Sequence, residues 1–229
     1  MGDRNRGLEA VGALDRLQII YEDDSIIVVD KPAGLLTIAT ATERTKTAYA
    51  VLRAYLNNKK RSERLFIVHR LDRDASGLLV FAKTVESKER LQNQFKDHSA
   101  GRRYVAVVQG RLAEDSFEIR SYLAENAAYR VYSTPNRKIG KLAVTHVKVL
   151  KRNSKTSLVE VRLETGRKHQ IRVHLAEHGN PIVGDQTYGT KSPLIPRLAL
   201  HGVQLDFTHP VHGRPLTFHS HYPKAFETL

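Results

Sequence analysis

Residues 67–83 read Ile-Val-His-Arg-Leu-Asp-Arg-Asp-Ala-Ser-Gly-Leu-Leu-Val-Phe-Ala-Lys. The apolar run 78–82 predicts a buried strand. Five ionisable side chains fall within the six positions 69–74 ahead of it, namely His69, Arg70, Asp72, Arg73 and Asp74. We therefore expect the charged patch to lie where a loop meets the core of a sheet. A carboxylate there costs free energy unless cations or donors contact it, and reactive sites are often built in this way.

A simpler interpretation of the same patch is a salt-bridged turn in which Asp72 pairs with Arg70 or Arg73. The four residues 69–72 alone favour that interpretation. The longer stretch, with Ser76-Gly77 and the apolar run that follows, favours a functional site instead.

Charge is the second strong feature of the chain. Its net charge is +13 at pH 7 and its pI is near 10, which indicates a polyanionic partner. Short cationic clusters are spread along the sequence, at 59–61, 102–103, 137–141 and 151–152. No basic amphipathic helix stands out, so an anionic membrane is the weaker alternative.

Composition limits the class of protein further. The chain has 229 residues and 41% hydrophobic residues, enough for a substantial core. It contains no stretch of about 20 apolar residues and no apolar leader segment. There are no cysteines, which rules out disulfides and thiolate metal ligands and fits a reducing cytoplasm.

Hydrophobic periodicity predicts the following elements. Strands are expected at 17–21, 26–30, 78–82, 103–109, 144–150, 157–163, 198–207 and 215–219. Helices are expected at 47–57, 84–98 and 169–178, the second capped by Thr84 and the third ended by Gly179. Residues 1–16 are polar and are expected to be a mobile lead-in. The predicted fold is one mixed α+β domain over 17–229, a largely antiparallel sheet with flanking helices.

The charged stretch resembles the signature of the RluA-type family of RNA pseudouridine synthases: His69-Arg-Leu-Asp72, then Ser76-Gly77 and an apolar run. Residues 164–175, Glu-Thr-Gly-Arg-Lys-His-Gln-Ile-Arg-Val-His-Leu, resemble the family's second signature. Lys31-Pro-Ala-Gly34 resembles the start of its catalytic domain. The resemblance runs from about residue 17 to 219 and implies the pseudouridine synthase catalytic fold. An S4-like RNA-binding domain, which many members carry, is not expected. One departure is Ala75, where the family often has Thr.

The resemblance implies that Asp72 is the catalytic nucleophile. The reaction breaks the C1′–N1 bond of uridine, turns the base and joins C1′ to C5. Whether the carboxylate attacks the sugar or removes a sugar proton stays open. A desolvated carboxylate stays ionised only beside a cation, and the resemblance implies that this cation is Arg172.

Tyr104 matches the active-site tyrosine of the family, which lies against the target base and assists proton removal at C5. A phenol suits both tasks. From the residues alone, a tyrosine at the start of a strand is more simply a packing residue.

The remaining candidates are expected to bind the substrate. Arg70 lies two positions before Asp72, and in relatives the matching arginine fills the space that the flipped uridine leaves. His69 supports the loop by a hydrogen bond. Arg167 and Lys168 flank a helix N-terminus and suit phosphate, and His169 shares a helix face with Arg172. The segment 179–189 is expected to pack beneath the site, with Asp185 as a possible support.

Nothing in the pattern calls for a metal or a cofactor. The histidines His209, His212, His219 and His221 lack a metal-binding spacing, and no Gly-rich nucleotide loop occurs. An isomerisation takes every atom from its substrate. We therefore expect an RNA pseudouridine synthase that acts on structured tRNA or rRNA without a cofactor. We expect a monomer because no long apolar surface stripe is evident.

Two other functions stay open at this point. A non-catalytic RNA-binding protein would have no use for a buried carboxylate. A glycosidase or nucleosidase would need a second, well-separated acid, and Asp74 is the only near neighbour of Asp72.

Overall fold

The computed structural model describes residues 17–59, 64–189 and 195–228. The predicted lead-in 1–16 and the cations Lys60 and Arg61 lie outside the described residues. The chain divides into two compact units. Unit 1 is drawn from Met1–Ala100 and Gln204–Ser220, and unit 2 from Gly101–Val203 and His221–Leu229. The prediction that 17–229 acts as one catalytic domain stays a prediction.

The elements in chain order are β1 (Gln18–Glu22), β2 (Ile26–Lys31), α1 (Ala48–Asn58), β3 (Phe66–Ile67), β4 (Ser76–Ala82), α2 (Val85–Lys96), β5 (Gly101–Gln109), β6 (Ser116–Glu125), β7 (Val131–Thr134), β8 (Lys141–Arg152), β9 (Thr156–Leu163), α3 (Gln170–Glu177), β10 (Leu200–Thr208), β11 (Pro215–His219) and α4 (Ala225–Thr228). No helix in the described ranges is long and apolar enough to cross a membrane.

Unit 1 is built around β4, whose seven residues are all buried. This strand pairs antiparallel with β2 and with the short β3, and β1 pairs antiparallel with β2. The hairpin of β10 and β11 adds Leu205 and Phe207 to the same core, beside Val28 and Val80. The predicted buried strand at 78–82 is therefore confirmed, and it ends the loop that carries Asp72.

Threonine caps begin both helices of unit 1. The Oγ1 atoms of Thr47 and Thr84 accept hydrogen bonds from the N–H groups of Ala50 and Ser87. Such caps are worth about 1 kcal/mol each. The predicted Thr84 cap is confirmed, and the helix expected at 47–57 begins one residue later, with Thr47 as its cap.

Unit 2 contains a sheet in the order β5-β9-β8-β6-β7, in which each neighbouring pair is antiparallel. The strands predicted at 144–150 and 157–163 are confirmed as β8 and β9, which form an antiparallel hairpin. Helix α3 packs on this sheet through Val173, which joins the core cluster of Leu123, Val131 and Ala143. The predicted α+β fold with a largely antiparallel sheet and flanking helices is confirmed.

Three elements of unit 2 are absent from the sequence prediction: β6, β7 and α4. Strand β6 has the expected signal, since Phe117 and Ile119 alternate with charged Glu118 and Arg120. Strand β7 and helix α4 have four residues each, too few to show a period.

Candidate active-site segments

The loop that carries Asp72 in unit 1 is fixed by a buried lysine. The Lys31 side chain has 0% exposure. Its ammonium donates to the carbonyl oxygens of Ala75 at 2.6 Å, Leu35 at 2.7 Å, Pro32 at 2.9 Å and Arg73 at 3.1 Å. A buried charge is tolerated only when polar groups surround it in this way. The ammonium therefore ties the segment after β2 to the residues that directly follow Asp72.

Two further contacts fix the backbone on either side of Asp72. Thr37 Oγ1 donates to the carbonyl of Leu71 at 2.8 Å and accepts from the N–H of Leu71 at 3.1 Å. The N–H of Gly34, a residue with φ of +84°, donates to the carbonyl of Arg73 at 2.9 Å. Both chain neighbours of the half-buried Asp72 are thus held, and the loop presents its carboxyl group from a fixed backbone.

His69 and Arg70 differ in their surroundings. His69 Nε2 accepts a hydrogen bond from the N–H of Val80 at 3.2 Å, and its ring stacks on Phe95 at 4.5 Å. This is a contact of the loop-supporting kind expected for His69. The Arg70 side chain is exposed and makes no hydrogen bond or ion pair with any described residue.

The simpler interpretation of this loop paired Asp72 with Arg70 or Arg73, whereas the salt bridge found here joins Arg73 to Asp74. Arg73 Nε lies 3.1 Å from Asp74 Oδ1, and both side chains are largely exposed. An exposed pair of this kind contributes little to stability.

In unit 2, Tyr104 lies on β5 opposite Val161 and is 7% exposed. The neighbouring Arg102 extends to the turn before α3, where its guanidinium covers Gly166. A Cβ atom added to Gly166 would lie 2.5 Å from Arg102 Nη1. The glycine of the second signature therefore makes room for an arginine.

Gln170 fixes the start of α3. Its buried Oε1 accepts from Thr165 Oγ1 at 2.7 Å and from the N–H of Arg167 at 3.0 Å. Its Nε2 donates to the carbonyl of Val144 at 3.0 Å and to Thr145 Oγ1 at 2.9 Å. Both ends of the side-chain amide therefore have hydrogen-bond partners, and the amide joins the turn to β8.

Arg172 is nearly buried, with 6% exposure, and pairs with Asp185. Its Nε and Nη2 lie 2.8 Å from the two carboxylate oxygens of Asp185, and the Tyr188 ring lies 5.2 Å from the guanidinium carbon. Asp185 Oδ1 also accepts from the N–H groups of Thr187 and Tyr188. Burial alone would raise the pKa of Asp185, but the hydrogen bonds and charge of Arg172 outweigh it and lower this pKa. The carboxylate is therefore ionised and holds the guanidinium in one orientation.

The residues just before α3 contact backbone and side-chain groups of unit 2. Arg167 Nε donates to the carbonyl of Leu142 at 2.9 Å. Lys168 pairs with Glu125 and donates to the carbonyl of Tyr129. His169 has a φ of +53° and bonds through Nδ1 to the Tyr188 hydroxyl at 2.9 Å. Phosphate binding by these residues stays a prediction.

Buried histidines complete this part of unit 2. His174, which is 0% exposed, contacts Thr145 Oγ1 through Nδ1 at 2.8 Å and Ser121 Oγ through Nε2 at 3.0 Å. Burial lowers its pKa to about 4, so the ring is neutral at pH 7. Burial also lowers the pKa of His201 to about 4.

Two other groups of ionisable residues are already satisfied by protein atoms. Glu118, His146 and Glu164 lie close together on unit 2, with ligand atoms within 4.8 Å of one another. However, His146 Nε2 bonds to Glu164 at 2.6 Å, and Arg120 pairs with Glu118 at 2.9 Å. In unit 1, the buried His209 bonds to Asp23 at 2.9 Å, a structural contact.

Four supporting residues were not predicted from the sequence: Lys31, Thr37, Gln170 and Tyr188. Lys31 and Gln170 both lie inside stretches that resemble the family. Lys31 was not predicted to be buried because lysine side chains are mostly exposed in proteins. Asp185 was named only as a possible support, and the structure gives it the bidentate contact with Arg172.

Comparison with known proteins assigns the class. A family model described as RNA pseudouridylate synthase matches residues 25–177, a range that contains Asp72, Tyr104 and Arg172. A solved structure of human RNA pseudouridylate synthase domain containing 4 has the same fold, with a TM-score of 0.77 and 23% identity over 97% of this chain and 94% of that one. The chain belongs to the RNA pseudouridylate synthase family, and the resemblance to its RluA-type members is confirmed.

Curated relatives are more similar in sequence. The ribosomal large subunit pseudouridine synthase D of Nitrosomonas europaea is 38% identical over 222 residues, 93% of this chain and 64% of that protein. The protein of the same name from Neisseria meningitidis is 39% identical over 219 residues, 90% of this chain and 58% of that protein. The chain thus spans about three-fifths of the length of these two relatives.

Proposed function

We propose that the chain isomerises uridine to pseudouridine in large-subunit ribosomal RNA. The observation that carries the proposal is the fixed presentation of Asp72: Thr37 holds Leu71, and Lys31 and Gly34 hold Arg73. A carboxylate on a rigid loop suits covalent or general-base chemistry at a sugar carbon. Family membership supplies the reaction class.

In this proposal Arg172 keeps Asp72 ionised once RNA has displaced water. Its guanidinium is already oriented by Asp185, so little conformational freedom is lost when it engages a second carboxylate. Tyr104 lies against the target base and assists proton removal at C5. Asp72 acts on the sugar, either as nucleophile or as base.

Binding of the RNA is assigned to the remaining predicted residues. Arg70 has an exposed guanidinium with no partner among the described residues, so it is available to fill the space of the flipped uridine. Arg167, Lys168 and His169 contact the phosphate backbone, and His69 maintains the loop beneath.

The choice of ribosomal RNA comes from the relatives, whose names give the large ribosomal subunit as their substrate. The net charge of +13 supports a structured polyanion but does not separate ribosomal from transfer RNA. Transfer RNA is therefore the rival substrate in the test.

The test compares the wild-type protein with Asp72→Asn, which keeps the shape and removes the charge. Each protein is incubated with large-subunit rRNA and with tRNA, both transcribed in vitro without modification, and pseudouridine is mapped by nucleotide position. We expect product in large-subunit rRNA with wild type, none with Asp72→Asn, and salt-dependent RNA binding by both. Free uracil would indicate a glycosidase, product only in tRNA would change the substrate, and binding without product from wild type would indicate a non-catalytic RNA-binding protein.

A further inference from the structure

A pocket of about 430 Å³ lies within unit 2, at the point where β6 ends and β7 and β8 begin. Its floor and walls are apolar, formed by Leu123, Ala124, Val131 and Ile139. Its rim is charged and is formed by Glu125, Lys141, Arg167 and Lys168. Pockets of this size with apolar walls and a few polar groups are typical ligand sites.

The pocket has a firm base and an exposed wall. Leu123 and Val131 are 5% and 4% exposed and belong to the core cluster beneath α3, so the floor is fixed before any ligand arrives. Ile139 is 58% exposed, although it is a large aliphatic side chain. An apolar wall open to solvent gains free energy when a flat hydrophobic group covers it.

An exposed aromatic side chain adjoins the rim. Tyr129 is 76% exposed, and the Lys168 ammonium lies 5.6 Å from its ring centroid. The turn that carries this ring is closed by hydrogen bonds from Tyr129 N–H to the Asn126 carbonyl and from Asn126 N–H to the Arg130 carbonyl. Tyr129 has a φ of +59°, a conformation uncommon for an aromatic residue. The turn therefore presents the ring to solvent in a defined place.

The charge of the rim favours an anion. Three cations, Lys141, Arg167 and Lys168, face one acid, Glu125. Lys168 is paired with Glu125, and Arg167 Nε contacts the Leu142 carbonyl. The Lys141 ammonium makes no hydrogen bond or ion pair with the described part of the chain. An incoming phosphate would therefore meet at least one cation that has no partner among the described residues to give up.

We propose that this pocket holds one unstacked nucleotide of the RNA, distinct from the uridine that is isomerised. Its base lies against Ile139, and its phosphate contacts Lys141, Arg167 and Lys168. The nucleotide is a second one because none of the proposed catalytic residues lines the pocket. The identification of the polymer as RNA rests on the proposed function. Single-stranded RNA is recognised by this pairing of apolar or aromatic surfaces with cations.

The pocket offers little for reading the identity of a base. Its apolar walls carry no hydrogen-bonding side chain, and Lys168 already engages the rim acid, Glu125. We therefore expect a subsite that tolerates any base and that contributes affinity for an RNA with an unstacked residue at this position.

A binding experiment with the full chain tests the proposal. ¹⁵N-labelled protein is titrated with a 5′-phosphorylated uridine pentanucleotide and, separately, with a pentamer of abasic ribose phosphates. We expect saturable amide shifts at Ala124, Val131 and Gly166 with the uridine pentamer, and binding weaker by roughly tenfold with the abasic one. Equal binding of the two probes would reduce the pocket to a phosphate-binding patch and overturn the proposal, as would shifts confined to other parts of the chain.

A matched pair of variants gives a second reading. Ile139→Asp and Leu150→Asp each add one negative charge at an exposed aliphatic residue of unit 2. Ile139 lines the pocket and is 58% exposed, whereas Leu150 lies outside the pocket lining and is 47% exposed. We expect roughly tenfold weaker binding of the uridine pentamer by Ile139→Asp and less than twofold weaker binding by Leu150→Asp. Equal losses would show that only overall charge matters and would overturn the proposal. Both experiments measure binding, so their outcome is separate from that of the Asp72→Asn turnover test.

Discussion

The Asp72 loop of unit 1 and the segment of unit 2 that holds Arg172 fix their key side chains by opposite means. In the loop, Lys31 and Thr37 hold the backbone, and the carboxyl group of Asp72 is placed by its neighbours. In the other segment, Asp185 grips the guanidinium of Arg172 directly. The contrast fits the proposed roles: under that proposal Asp72 reacts and has to stay accessible, whereas Arg172 only stabilises charge, so Asp185 can hold its guanidinium directly.

The strongest test of this contrast removes the clamped cation. Arg172→Met leaves the carboxylate of Asp185 buried and unpaired, which we expect to lower the free energy of unfolding by about 3–5 kcal/mol. Pseudouridine formation should fall at least about 1,000-fold. Denaturant titration and single-turnover assays measure the two effects.

The double variant Arg172→Met with Asp185→Asn separates stability from chemistry. Removing both charges should restore much of the stability, because neither partner is left charged and buried. Turnover should not return. A double variant that regains turnover would mean that Arg172 serves the fold alone.

The backbone clamp is tested by Lys31→Met. The change removes the ammonium that donates to the carbonyl groups of Pro32, Leu35, Arg73 and Ala75, and it should lower the free energy of unfolding by about 3 kcal/mol. Lys148→Met, at an exposed position on β8, is the matched control and should cost less than about 0.5 kcal/mol. Similar values for the two variants, measured by urea unfolding, would show that the buried ammonium does not hold the loop.

The segment around α3 should also have a pH signature. Burial lowers the pKa of His174 to about 4 from an ordinary value of 6.5, so the unfolded chain binds a proton that the folded chain does not bind between these values. The stability that this histidine contributes is complete above pH 6.5 and is lost as the pH falls towards 4. His201 behaves in the same way.

The variant His174→Gln removes one of these two titrating groups. It should flatten the fall in stability between pH 6.5 and 4 by about 2 kcal/mol, measured by urea unfolding at each pH. An unchanged slope would contradict a neutral, buried His174.

The smallest effect is expected at Thr37. Thr37→Val keeps the shape and removes the hydroxyl that bonds to Leu71 on both sides, which should cost about 1–2 kcal/mol of stability. Because the loop before Asp72 loosens, turnover should fall about tenfold while RNA binding changes little. The exposed Thr217→Val is the control. Loss of stability without any loss of turnover would show that loop rigidity is unimportant for the chemistry.

Sequence periodicity predicted most of the fold because the decisive elements are locally encoded. The strand at 78–82 is a continuous apolar run, and Thr84 caps the N–H of Ser87, only three positions further along the chain. Strands β6 and β7 were missed for different reasons. In β6, Phe117 and Ile119 alternate with Glu118 and Arg120, so a period-2 signal was present but not used, whereas β7 is too short for any period.

The sequence by itself determined the charged loop, the buried strand at 78–82, the helix starts and membership of the family, since each depends on residues close together in the chain. Only the tertiary structure showed that the buried Lys31 holds the backbone around Asp72. Only the tertiary structure showed that the buried carboxylate of Asp185 orients Arg172. Those pairings join distant parts of the chain, and their free energy comes from burial, which no local pattern records. The same is true of the pocket beside Ile139, whose lining residues meet only once the strands of unit 2 have paired.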